Sequence, residues 1–184
     1  MRQHGKYRNF ILCICPGKPG YYFYMKNYFW RSIILGMHDA LVSTLGLITG
    51  LVFASAEHSV VVLTGVIASV AAGLSMAASE YLAARTNGDT DFAIWQGLAT
   101  GAAYVFTAGM LIVPFVFIVN PFLALCMTYV VAISVIFFFN YVKSRLCHED
   151  FWPRFFEMLT ICGLVTVTAF LIGEAAKFFF GVEI

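Results

Sequence analysis

A chain of 184 residues with 61% hydrophobic, 17% aromatic and only 11% charged side chains lies far from the soluble average of roughly one quarter charged. That composition excludes a soluble protein and leaves no polar run long enough for a separate soluble domain, so an all-α integral membrane protein of one domain is expected. The net charge of +1 says little by itself, because the distribution of the charges carries the information.

Residues 1–31 hold Arg2, Lys6, Arg8, Lys18, Lys26 and Arg31 and no acid. The apolar run Phe10 to Cys15 is shorter than the roughly 7 residues of a signal-peptide core, and Pro16 to Gly20 breaks any helix. Tyr21 to Trp30 is crowded with the aromatic residues that collect at the headgroup level, beside cations that favour an anionic leaflet. Residues 1–31 therefore read as an interfacial lead-in, with Met25 a second candidate start, and 32–184 as the transmembrane domain.

Five spans follow: Ile33 to Ala56, Val60 to Leu82, Ala93 to Val119, Phe122 to Val142 and Phe155 to Lys177. Each approaches or exceeds the roughly 20 apolar residues that cross a bilayer. An odd count puts the termini on opposite sides. The lead-in and the loops after the second and fourth spans then hold ten of the eleven basic residues, adding Arg85, Lys143, Arg145 and Arg154 to the six named above, and the other side holds only Lys177. The positive-inside rule places that basic side, and the N-terminus, in the cytoplasm.

The first span contains Asp39, a costly residue inside a membrane and so a functional candidate. Asp39, Ser43, Gly46 and Gly50 recur at intervals of four, three and four, one stripe of small and polar groups expected to face protein. On the second span Gly65, Ser69, Ala72, Met76 and Glu80 form a comparable stripe, thinned by small residues from Ala68 to Ser79. The first span leaves the cytoplasm and the second returns, so Asp39 and Glu80 are expected at similar depth, with Met76 between them.

Two carboxylates, a hydroxyl and a thioether suggest a divalent-metal site. Carboxylates alone suit magnesium, calcium or manganese, and a thioether shifts the preference mildly toward ferrous iron or manganese. Read singly, Met76 is better explained as packing, and Glu80, near the interface, is evenly balanced between site and surface. A metal needs the carboxylate ionised, so binding at Asp39 would displace a proton. His38 tunes that exchange or, as the plainer reading, hydrogen-bonds a backbone carbonyl.

Gly36 to Leu51 and Ala72-Gly73-Leu74-Ser75-Met76-Ala77-Ala78-Ser79-Glu80-Tyr81-Leu82 resemble the first- and second-helix motifs of the vacuolar iron transporter family, with weaker likeness around Gly101, Gly109 and Pro114 and in the last span. The resemblance implies a five-helix bundle working as a homodimer, with the metal path between the first helices of two protomers. It implies export of Fe2+ or related divalent ions such as Mn2+ from the cytoplasm in exchange for protons, with no permanently bound cofactor. By the same resemblance Asp39 and Met76 are the intramembrane transport pair and Glu80 the signature acid. Gly36, Gly46, Gly50 and Gly73 are helix-packing positions, with Gly46 and Gly50 at the two-fold interface.

The chain departs from the family pattern in three ways. His38-Asp39-Ala40 stands in place of Asn-Asp-Gly, Arg31 and Ser32 stand where several members carry carboxylates, and the Glu-rich cytosolic insert after the second span is missing. Only Asp89 and Asp91 remain there as weak cation-attracting candidates, and solvated capping is the plainer reading. Cys147-His148-Glu149-Asp150 cannot all point at one ion, and the five cysteines show no disulfide framework. An enzyme is disfavoured: the four histidines are scattered rather than boxed, and there is no phosphate-binding loop and no nucleic-acid footprint beyond the basic lead-in. The alternative to a transporter is a non-transporting membrane module that partners a cytoplasmic iron-handling protein. A bacterial inner membrane or an organelle membrane would suit either.

Overall fold

The computed structural model describes residues 21–87, 92–147 and 151–180. Five helices account for them: α1 (Tyr21–Phe53), α2 (His58–Thr86), α3 (Ala93–Phe117), α4 (Pro121–Cys147) and α5 (Phe151–Phe180). All five contain a window long and apolar enough to cross a membrane, as the hydropathy pattern predicts. The lead-in up to residue 20, Asp89, Asp91 and residues 148–150 lie outside the described residues.

The element boundaries differ from expectation where composition and helix chemistry disagree. The aromatic segment from Tyr21 is already part of α1, because Pro and Gly stop at Gly20 and nothing after it breaks a helix. The spanning part of α1 is Trp30–Phe53. Similarly, α5 begins at Phe151 rather than Phe155: Pro153 falls in the first helical turn, where the missing N–H has no partner to lose. Asn120 caps α4, its Oδ1 accepting from the Phe122 and Leu123 amides at 3.1 and 3.3 Å, with Pro121 at the first helical position.

The turn after α1 closes by two backbone bonds, Ala56 N–H to the Leu51 carbonyl at 3.0 Å and Ser55 N–H to the Val52 carbonyl at 3.1 Å. This is a Schellman pattern, and Ser55 holds its left-handed position at φ 61° without being glycine. α2 therefore runs back along α1.

α1 packs against each of the other four helices. Its crossing with α3 is close, since a Cβ on Gly36 would collide with the Thr100 carbonyl. The α2–α3 seam is similarly tight: a Cβ on Gly101 would lie 2.7 Å from the Gly73 carbonyl oxygen and 2.8 Å from the Ala77 methyl. Small residues let the backbones approach, the usual basis of helix association in lipid. The apolar interior divides around Met37, Leu41, Leu45 and Ile136 on one side and Ile48, Val61, Ile112 and Phe115 toward the α1–α2 turn. Leu63, Leu74, Phe106, Phe138 and Leu164 point outward, as lipid-facing side chains should.

Candidate functional site

Asp39 lies on α1 near the middle of its spanning part and is exposed on the surface of the chain. The next member of its stripe, Ser43, is also exposed, and its hydroxyl donates to the Asp39 backbone carbonyl at 2.6 Å. The same hydroxyl is 2.6 Å from the Tyr104 phenol of α3. A serine has one hydroxyl proton, so with that proton directed at the carbonyl, Tyr104 is the donor to Ser43. Tyr104 is buried, packed with Ala40 and Ala108, and Met76 of α2 leans on this cluster. Side chains tilt toward their helix N-terminus, which on α2 carries the Met76 thioether away from Glu80 and down to the Ala40 level. Carboxylate, hydroxyl, phenol and thioether therefore share one level of the bundle.

Glu80 does not join them. Its Oε1 accepts from the buried Ser32 hydroxyl at 3.2 Å, and Ser32 precedes Asp39 by seven residues, about 10 Å of helix rise. The expectation that the two acids share one spot fails because the short 54–57 turn fixes the α1–α2 register, setting Glu80 opposite Ser32 and a position near Gly73 opposite Asp39. Glu80 stands instead nearer the end of α2 that carries Arg85, one station before Met76. His38 donates from Nδ1 to the Ile34 carbonyl at 2.7 Å, the plainer of its two expected roles.

Gly46 and Gly50, the far half of the stripe, face α5 of the same chain. A Cβ on Gly46 would lie 2.9 Å from a Val165 methyl, and one on Gly173 would lie 2.7 Å from the Gly50 carbonyl oxygen. They line an apolar groove of about 500 Å³ between α1 and α5. Packing within one chain thus accounts for both glycines. Gly36 and Gly73 serve α1–α3 and α2–α3 contacts, Gly73 against Val105 and Gly101.

Among the described residues no three His, Cys, Asp or Glu side chains converge as a metal cage. Within one chain the candidate site is open, with Asp39 at the surface. Two contributors were missed from sequence. Tyr104 extends the small-residue line Gly97, Gly101 and Ala108 on α3, a spacing that was available to be noticed, whereas Ser32 gives no signal apart from the register.

Comparison with curated proteins finds no match. Residues 30–94, which run from the start of the α1 span through α2 to the first turn of α3 and carry Asp39, Met76 and Glu80, match the family model described as VIT family. Membrane metal-ion transport is the activity this family suggests, and over those residues the chain is similar to the vacuolar iron transporter family.

Proposed function

We propose that this protein carries Fe2+ or Mn2+ out of the cytoplasm in exchange for protons, as a homodimer whose α1 helices meet at Asp39. The observation that carries the reading is the exposure of Asp39 in mid-span. A carboxylate facing hydrocarbon is costly and is normally turned toward protein or water. A second copy packed on the same face would cover it and bring two Asp39 and two Met76 to one ion, a mixed hard and soft donor set suited to ferrous iron or manganese. Glu80, at the mouth, would receive the ion first.

Exchange follows from competition for the same oxygens. The ion binds the ionised carboxylate and displaces its proton, and a proton from the opposite compartment returns the carboxyl to its neutral form and releases the ion. The test is flux from protein-containing vesicles. Efflux is expected to rise when the receiving side is acidified, and Asp39→Asn, which keeps shape but cannot ionise, is expected to abolish it. Wild-type flux and pH dependence in Asp39→Asn would sink the mechanism, and no flux of any ion by the native protein would favour the non-transporting module.

A further inference from the structure

His58, the first residue of α2, lies at the end of the bundle away from Glu80. Its ring stacks on Phe115 of α3, centroids 6.3 Å apart and planes 26° from parallel, and Phe115 is only 1% exposed. Its Nδ1 is buried without a hydrogen-bond partner among the described residues, where no other side-chain nitrogen or oxygen is so placed. Beside the ring is a cavity of about 380 Å³ between α2 and α3, lined by His58, Ser59, Val62, Val66, Phe115 and Val116. Buried polar atoms are normally satisfied, so this orphan calls for an explanation.

We propose that His58 is a proton-binding site facing the compartment opposite the cytoplasm, and that its protonation drives the ring off Phe115 and opens the α2–α3 seam at that end. The proposal deepens the proton-exchange reading above and rests on it. A neutral imidazole with its hydrogen on Nε2 leaves Nδ1 a bare acceptor, a modest cost. The imidazolium donates from both nitrogens, and a charged donor without an acceptor in an apolar slot costs far more. Swinging into the adjoining cavity relieves it.

The surroundings offer little that would hold the cation in place. Among the described residues at this end of the bundle, the formal charges are Glu57, exposed at the start of α2, and Glu174 and Lys177 on α5, which follow Gly173 where it packs on the α1–α2 turn. The facing end of α3 has no charged residue, and its Tyr104 is engaged by Ser43. The last turns of α1 have no charge. The first turns of α4 bring only Cys126 and Tyr129, the latter bonded to Thr49 and Thr166. Glu57, at the water-facing rim, is a natural partner for the expelled ring. Departure of the ring uncovers Phe115, which closes the core around Ile48, Val61 and Ile112. Acid on that side thus favours the open seam, and neutral pH the closed one.

The test uses the full chain in detergent micelles without metal. Val116→Trp places an indole in the same cavity from an exposed position, and protonated imidazole quenches a neighbouring indole; Leu63→Trp, exposed on α2, is the second reporter. After subtraction of the three native tryptophans, the reporter signal is expected to fall reversibly on acidification. The change should vanish with His58→Phe, which keeps a stacked ring but cannot titrate, and with His58→Gln. A titration that survives both substitutions, or its absence from both reporters, overturns the proposal. In vesicles His58→Phe is expected to flatten the acid-side dependence of flux, and an unchanged profile would overturn the coupling. Because the fluorescence contains no metal, an intact titration without transport would remove the transport reading alone.

Discussion

At Ser43 one hydroxyl joins two helices: its proton goes to the Asp39 carbonyl and its lone pair receives the Tyr104 phenol. Removing the phenol oxygen by Tyr104→Phe leaves the first bond intact and deletes the second, at an expected cost of about 0.5–1 kcal/mol in a membrane interior. Thermal unfolding in detergent measures it, and a shift several times larger would mean the phenol does more than pin Ser43. Met76→Leu keeps the packing against Ala40 and Tyr104 while removing sulfur. Ferrous iron flux is expected to fall several-fold and manganese flux less. Equal loss of both ions would assign Met76 to packing. The residue types of this candidate site were legible in the sequence, since acid, thioether and hydroxyl stand out against apolar neighbours. Their partnering was not, because the Ser32–Glu80 pairing depends on interhelical register, which no local pattern encodes.

Among the elements, the helix crossings carry the sharpest steric demands. Gly36→Ala would drive a methyl into the Thr100 backbone, which has no flexible end to yield. Separation of α1 from α3 is expected, costing about 1–3 kcal/mol of stability, seen as a lower unfolding temperature. Gly109→Ala has open space around it and should change little; similar effects at both sites would refute the tight crossing. At the α1–α2 turn the sign reverses. Ser55→Gly removes a Cβ from a left-handed position and should stabilise by up to about 1 kcal/mol. Hydropathy made the element order readable in advance. The start of α1 was obscured because Tyr21 to Trp30 has the composition of an interface, and composition at an interface does not distinguish helix from irregular chain.

For the whole molecule, the charge asymmetry and the exposed stripe on α1 set the expected orientation and assembly. A membrane-impermeant reagent should reach Cys147 only from the cytoplasmic side and an extension after Ile184 only from the other. Labelling of both from one side would refute the five-span arrangement. Ser43→Cys, exposed beside Asp39, should form a covalent dimer under mild oxidation if two α1 helices meet there. Monomer alone, in a sample that still unfolds cooperatively, would place the dimer contact elsewhere.

The last helix is held differently from the rest. Cys162 and Gly173 are the buried positions of α5 among its described residues, and a side-chain hydrogen bond to another helix runs from Tyr129 to Thr166 at 3.0 Å. Under tension applied at the C-terminus, α5 should peel away as a separate first event at low force, sliding along the groove it shares with α1 and leaving α1 to α4 upright. The bundle would thus rupture in two stages, with the tightly threaded glycine crossings of α3 resisting longest.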